Sequence, residues 1–422
     1  MTALLLATTI AFQGATLIDG TGAAPRPNAL LVVREGRIVS VAEATPQALA
    51  ALPAGTPVTD ARGKWIIPGL IDAHVHAESE GDLEEMLRWG VTSVRLMAED
   101  VAAAGKLAER SRYAGSRFPD VFPAAPIFTA RGGWWDQGEP PDSNLNRFPT
   151  TVGEARAAVR KAQALGSSEI KLMLDDTAWC RAPKPTLPRM KPDVARALIS
   201  EARKLGMRAT VHAPNLSDAK EAIGDGASAL AHGVLDRLDT ATIAEMKRRP
   251  VYYIPTMDIF EFLADTRGFV DRVLADPAAL SIGGDKVSRY RSRSYSDRYR
   301  ERYPNFDSVR NHLPLLYDNL RRLREADVPI ALGTDMWAFP GLGVSIEMDL
   351  YVQAGFSALE AIRAATETSA RSLGIEADRG TLEPGKRADF LLLDDDPVRD
   401  VKNVRRIVEV CKGGECRPRA ER

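Results

Sequence analysis

Four of the five histidines in this 422-residue chain, His74, His76, His212 and His232, stand at the ends of short apolar runs. Imidazole is the commonest metal-ligating side chain. In His74-Val75-His76 the two rings lie two residues apart; on an extended strand such residues share a face, so the pair can grip one ion. The alternative is two hydrogen-bonded core histidines, although a core strand has no need of two ionisable rings on one face. Lys171, in Glu169-Ile-Lys-Leu-Met-Leu174, ends a further apolar run. An ammonium there is costly to bury unless it is paired or chemically changed. Burial favours the neutral amine, which carbon dioxide can convert to an anionic carbamate able to bridge two cations; a lysine that reaches solvent or binds an anionic substrate is the other reading. Asp335 closes Leu332-Gly-Thr-Asp335. Its carboxylate could bind an ion and take a proton from an attacking water, or merely cap a helix. Together these residues point to hydrolysis at a divalent metal centre.

Scattered positions meet only if the chain brings them to one place. Short apolar runs alternate with amphipathic helical stretches, the signature of repeated βα units and a parallel sheet. Eight runs occur, near 69–76, 91–97, 121–128, 168–174, 207–213, 228–232, 251–256 and 329–334. Eight parallel strands predict an α/β fold, a (β/α)8 TIM barrel, whose active site lies at the carboxyl ends of the strands. Thr151-x-x-Glu154 and Ser357-x-x-Glu360 read as capping boxes, and in the second helix Leu359, Ile362, Thr366, Ala370 and Leu373 share a face before Gly374 ends it. The ends of the chain break this rhythm with short alternating pieces, so residues 1–66 and 380–422 are expected to form one small β-sandwich domain around a barrel at 67–379. The connection 257–328 is far longer than usual and is expected to cover the site.

With 56 basic against 57 acidic residues and 45% hydrophobic residues, the composition is that of an ordinary globular protein. Ser288–Tyr303 is basic and aromatic, but in a near-neutral chain it reads as a helical lid rather than a nucleic-acid surface, its arginines suited to an anionic substrate. No apolar run is long enough to span a membrane as a helix. The opening Met1–Ala7 is apolar without a basic flank, which suits a cytoplasmic chain; the alternative is the stump of an export signal, with a periplasmic or secreted product. Cys411 and Cys416 can face each other across a terminal hairpin as a disulfide or as two thiols. A homo-oligomer is compatible with all of this.

In order and placement, Pro68-Gly-Leu-Ile-Asp-Ala-His-Val-His76, the Lys171 run, His212, His232, Gly333-Thr-Asp335 and Gly380-Thr-Leu-Glu-Pro-Gly-Lys-Arg-Ala-Asp389 resemble the amidohydrolase superfamily over almost the whole chain. The resemblance implies a distorted barrel with a β sandwich and two zinc ions, or other divalent metals, bridged by carboxylated Lys171. His74, His76 and Asp335 would hold the more buried ion, and His212 and His232 the more exposed one. It further implies cleavage of a small-molecule amide by a metal-bridging hydroxide, with Asp335 as general base. The branch it is most similar to contains imidazolonepropionase-like proteins and dipeptidases acting on Xaa-Pro or acylated amino acids. There one of Tyr252 and Tyr253 would donate to the oxyanion, packing being the other role for both. Thr129-Ala-Arg-Gly-Gly-Trp-Trp135 departs from that branch, which tends to place a histidine beside the glycines. Arg131 is expected to bind the substrate carboxylate instead, with Trp134 and Trp135 as an aromatic wall. A hydrolytic deaminase or cyclic-amide hydrolase is the nearest alternative, although Asn215 stands where such deaminases carry glutamate. A scaffold relative without activity is a further one.

Overall fold

The computed structural model describes residues 9–98, 100–113, 115–136, 145–277, 279, 292, 301, 304–305 and 308–419. The run 288–303, expected to form a lid, lies almost wholly outside the described residues. At the start of the chain come β1 (Thr9–Leu17), β2 (Arg26–Arg34), β3 (Arg37–Glu43), β4 (Val58–Asp60) and β5 (Trp65–Pro68). The alternating half follows as β6 (Leu70–Val75), β7 (Val91–Met97), β8 (Asp120–Ala124), β9 (Ile127–Phe128), β10 (Glu169–Met173), β11 (Arg208–His212), β12 (Ala229–Ala231) and β13 (Tyr252–Ile254). The chain ends with β14 (Phe390–Leu393), β15 (Ile407–Lys412) and β16 (Glu415–Pro418).

The two ends of the sequence share one sheet. Its order is β16-β15-β14-β5-β1-β2-β3, with β4 on β1. The antiparallel pairing of β14 with β5 carries the ladder from one end of the chain to the other, so all eight strands belong to one hydrogen-bonded sheet. One face closes over Phe12, Leu17, Leu31, Ile66, Leu382 and Phe390; the other packs on the helix Pro46–Ala50 and its flanks. Cys411 and Cys416 are directly opposite in the β15–β16 register and form a disulfide.

The central strands pair in parallel as β6-β7-β8 and as β13-β12-β11-β10-β9. Burial along β6, β7 and β10 is complete on both faces, as expected for strands covered by helices. Two expected runs differ in detail. The run 121–128 is split into β8 and β9 around Pro126, which has no N–H to continue a ladder. The run 329–334 is not a full strand but a bridge between Tyr253 and Ile330. It nevertheless bonds on both sides: Tyr253 N–H donates to Pro329 C=O, Ala331 N–H to Tyr253 C=O, and Ala73 N–H to Leu332 C=O. Gly333 has no room for a side chain, since a Cβ there would sit 2.9 Å from the His74 nitrogen and 2.6 Å from Ile254 Cγ2.

The helix caps follow the sequence with one change. Ser357 and Glu360 make the reciprocal capping box, whereas Thr151 caps Glu154 N–H while the Glu154 carboxylate accepts from Thr150 N–H and hydroxyl. The helix that begins at Ala358 widens to a π turn at Ala364–Thr368 and ends at left-handed Gly374. The widening lets Ser369 Oγ reach Ala364 C=O at 2.7 Å and accept Leu332 N–H at 3.0 Å, which anchors the segment leading to Asp335. The long connection 257–328 contains helices Met257–Ala264, Thr266–Leu274 and Val309–Glu325. Asn319 in the last of these bonds Val234 C=O, Asp236 C=O and Leu238 N–H, buttressing the loop after His232.

Candidate metal centre

His74 and His76 occupy the end of β6 and the residue just past it, His212 ends β11, and His232 follows β12 directly. Their rings meet: centroids lie 5.5 Å apart for His74–His76, and 4.6 Å for both His74–His232 and His212–His232. Asp335 sits among them, its carboxylate 3.8 Å from His74 Nε2, 3.5 Å from His76 Nε2 and 3.8 Å from His232 Nδ1. His74, His232 and Asp335 offer ligand atoms that all lie within 4.8 Å of one another. Lys171, buried in the middle of β10, interacts electrostatically with Asp335 and with all four rings. The six residues singled out in the sequence are thus neighbours.

Whether this set suits cations can be judged from the atoms it leaves over. Nδ1 and Nε2 of His74, Nδ1 of His212 and Nζ of Lys171 are buried without a hydrogen-bond partner. Buried polar atoms are normally paired, so orphaned nitrogens gathered in one cluster of rings beside a carboxylate fit ions better than they fit a core. Protonation points the same way. Burial, reinforced by Lys171, holds His74 well below its ordinary value and His76 at about 3; burial first also lowers His212 and His232. All four rings are therefore neutral, as metal ligation requires. Burial pushes Lys171 down to about 7 against the pull of Asp335, and pushes Asp335 up to about 7 against the pull of Lys171. Lys171 can thus present the neutral amine. The donor set of imidazoles and carboxylates suits zinc and similar divalent ions.

The partners that aim these ligands were not legible in the sequence. Asp175, two residues beyond β10 and buried, lies 3.1 Å from His212 Nε2, leaving Nδ1 to face the cluster. His232 Nδ1 meets Thr256 Oγ1 at 3.0 Å. Asp72 accepts His74 N–H, Thr334 N–H and the Thr334 hydroxyl, tying β6 to the segment that carries Asp335, whose own N–H donates to His74 C=O at 2.8 Å. Partners of metal-bound histidines tune affinity. Asp175→Ala is therefore expected to weaken metal affinity about 10- to 100-fold; a competition titration against a chelator measures it, and unchanged affinity would show that Asp175 does not orient His212.

The backbone around the centre is unusual. Among the described residues, eight non-glycine residues have positive φ, and Trp135 (68°), His232 (72°), Thr256 (48°) and Asp335 (54°) all belong to this neighbourhood. Such conformations cost about 1–3 kcal/mol each and persist where surrounding contacts dictate them.

The five residues expected near the substrate fall in different places. Trp134 stacks on His212 with centroids 6.0 Å apart, and Trp135 lies 4.8 Å from His76. Tyr253 is fully buried, its hydroxyl accepting Val234 N–H, which uses it to hold the loop after His232. Tyr252 is half-buried among Arg371, Glu376 and Arg208, alongside Ile71, Ala370 and Leu373, away from the ligand cluster. Alternation along β13 separates the two tyrosines as expected, but the contacts of each are structural. Arg131 is 60% exposed, 3.7 Å from Asp136 and over the Phe148 ring at 3.6 Å; these contacts turn it outward.

Residues 65–416 match the model of the amidohydrolase family. The chain is 26% identical over 418 residues to a 5-methylthioadenosine/S-adenosylhomocysteine deaminase of Symbiobacterium thermophilum, covering 91% of this chain and 85% of that one. It is 23% identical over 373 residues to an imidazolonepropionase of Rhizorhabdus wittichii, covering 79% and 80%. Among solved structures, a Xaa-Pro dipeptidase with methionine in its active site superposes with a TM-score of 0.78 at 23% identity, over 97% of this chain and all of that one. The chain belongs to the amidohydrolase family.

Proposed function

We propose that this protein cleaves the amide C–N bond of a small substrate, such as a dipeptide or an N-acyl amino acid, at a pair of divalent cations. The observation that carries the reading is the meeting of four neutral imidazoles, three of them within 4 Å of the Asp335 carboxylate, with a buried, partnerless Lys171 amine. Bound there, the cations would lower the pKa of water and polarise the substrate carbonyl. His74 and His76 would hold one ion and His212 and His232 the other, with carboxylated Lys171 between them. Asp335 takes the proton of the attacking water and delivers it to the leaving nitrogen, standing within 4 Å of three of the imidazoles. Asp175 and Thr256 fix the rings of His212 and His232.

The same reading closes the central strands into a (β/α)8 barrel at residues 67–379, with 329–335 as the eighth stave, and makes 1–66 with 380–422 the accessory β domain. The hydrogen bonds that 329–335 forms with β13 and β6 support that closure.

The deaminase relative favours a second reading, ammonia release. Against it, Asn215 donates to Asp218 at 3.1 Å at the start of a helix and offers no acid. A screen of dipeptides, N-acyl amino acids, lactams and aminopurines, scored separately for carboxylate and for ammonia, tests the proposal. Carboxylate release that disappears on chelation and returns with zinc is expected. Ammonia release alone would transfer the protein to the second reading, and full activity after exhaustive chelation would overturn both.

A further inference from the structure

The ligand cluster is not equally enclosed. The side chains of His76 and Asp335 are 22% and 16% exposed, against 9% or less for His74, His212 and His232, so solvent reaches the centre past His76. Trp135 stands at that approach. Its ring is 37° from the plane of His76, and its indole Nε1 is buried with no hydrogen-bond partner. Indole N–H groups usually find a partner when buried. Its backbone is held at φ 68° by a tight turn in which Gly133 N–H donates to Ala130 C=O, Asp136 N–H to Gly133 C=O, Gly132 N–H to the Asp136 carboxylate, and Thr129 Oγ1 to Trp134 C=O. Gly133 lets this turn press on its neighbours, since a Cβ would fall 2.6 Å from Pro188 C=O. Trp134 and Trp135 both pack on Met97, Ala124, Ile127 and Met173, and they flank the cluster on its His212 and His76 sides.

A strained, braced turn that leaves a donor unpaired beside a metal-ligand ring is a preorganised recognition element. We infer that Trp135 is a specificity-determining residue: its indole N–H donates to an acceptor oxygen of the bound substrate next to His76, and the Trp134 and Trp135 rings select a planar aromatic acyl group. This rests on the proposed metal centre and adds the class of amide that it takes. Aromatic faces reward flat apolar partners, and no histidine stands in this turn to compete for the same oxygen.

The test uses the zinc-loaded full chain with two probes, benzohydroxamate and acetohydroxamate, which share the metal-binding head and differ by the phenyl ring. Wild type is expected to bind benzohydroxamate at least about tenfold more tightly, the margin that burial of a phenyl ring gives. Trp135→Phe keeps a ring and loses the N–H; it should bind both probes about five- to tenfold more weakly while keeping the preference for phenyl and an unchanged zinc content. Trp135→Ala should lose most of the preference. The indole N–H resonance that is missing from Trp135→Phe should move when wild type is saturated with benzohydroxamate. Failure of the wild type to take up zinc overturns the proposed centre itself. Normal zinc uptake with no hydroxamate binding, with equal affinities in wild type and Trp135→Phe, or with an unmoved resonance overturns the role of Trp135 alone.

Discussion

Lys171→Ala is expected to lower kcat/KM by about a thousandfold or more, because it removes the group that the proposed centre places between the two cations. The amine lies among His74, His76, His212, His232 and Asp335 and has no hydrogen-bond partner of its own. Its removal therefore breaks no protein hydrogen bond, and the loss should fall on the metals and not on the fold. Elemental analysis should show bound zinc dropping from two per chain to one or fewer, while the thermal midpoint of the metal-free protein stays within a few degrees of wild type. A short carboxylate such as formate should restore part of the activity by entering the space vacated by the side chain. Full activity with two ions retained would eliminate Lys171 as the bridge.

Asp335→Asn should be equally damaging in a different parameter. The amide preserves the shape of the side chain, and the backbone link from residue 335 to His74 C=O does not involve it. What is lost is a carboxylate that can accept a proton and return it. A fall in kcat of about 10³-fold or more with a KM changed by less than about threefold is expected, as for an interaction made only in the transition state. Steady-state kinetics at saturating zinc decide it. A loss confined to KM would assign Asp335 to substrate binding, and an undiminished kcat would leave the proton without a carrier.

The clustering of the histidines is legible in the sequence because two regularities coincide in them. Strand alternation puts His74 and His76 on one face, and parallel register sets the ends of β11 and β12 side by side, so residue type and run end together locate the histidines. Their supports were not readable, for a physical reason. Asp175 and Thr256 lie past strand ends, where the path of a loop and not a period sets the direction of a side chain, and Asp175 looks like any aspartate that begins a turn. The two tyrosines show the same limit from the other side: alternation separates Tyr252 from Tyr253 correctly, yet only the neighbours of β13 reveal that one holds Val234 and the other faces Arg371 and Glu376. For the last run, apolar content suggested a strand, and Pro329 and Gly333 trimmed it to a bridge by removing a donor and a side chain.

The left-handed backbones at Trp135, His232, Thr256 and Asp335 carry an implication for how this molecule could evolve. Glycine adopts that conformation without steric penalty, so each of these four positions is one at which glycine would relieve backbone strain while deleting a side chain of the cluster's neighbourhood. Heat-adapted versions of this enzyme should therefore harden their helices, loops and termini and leave this quartet untouched, because resilience gained there would come directly out of turnover.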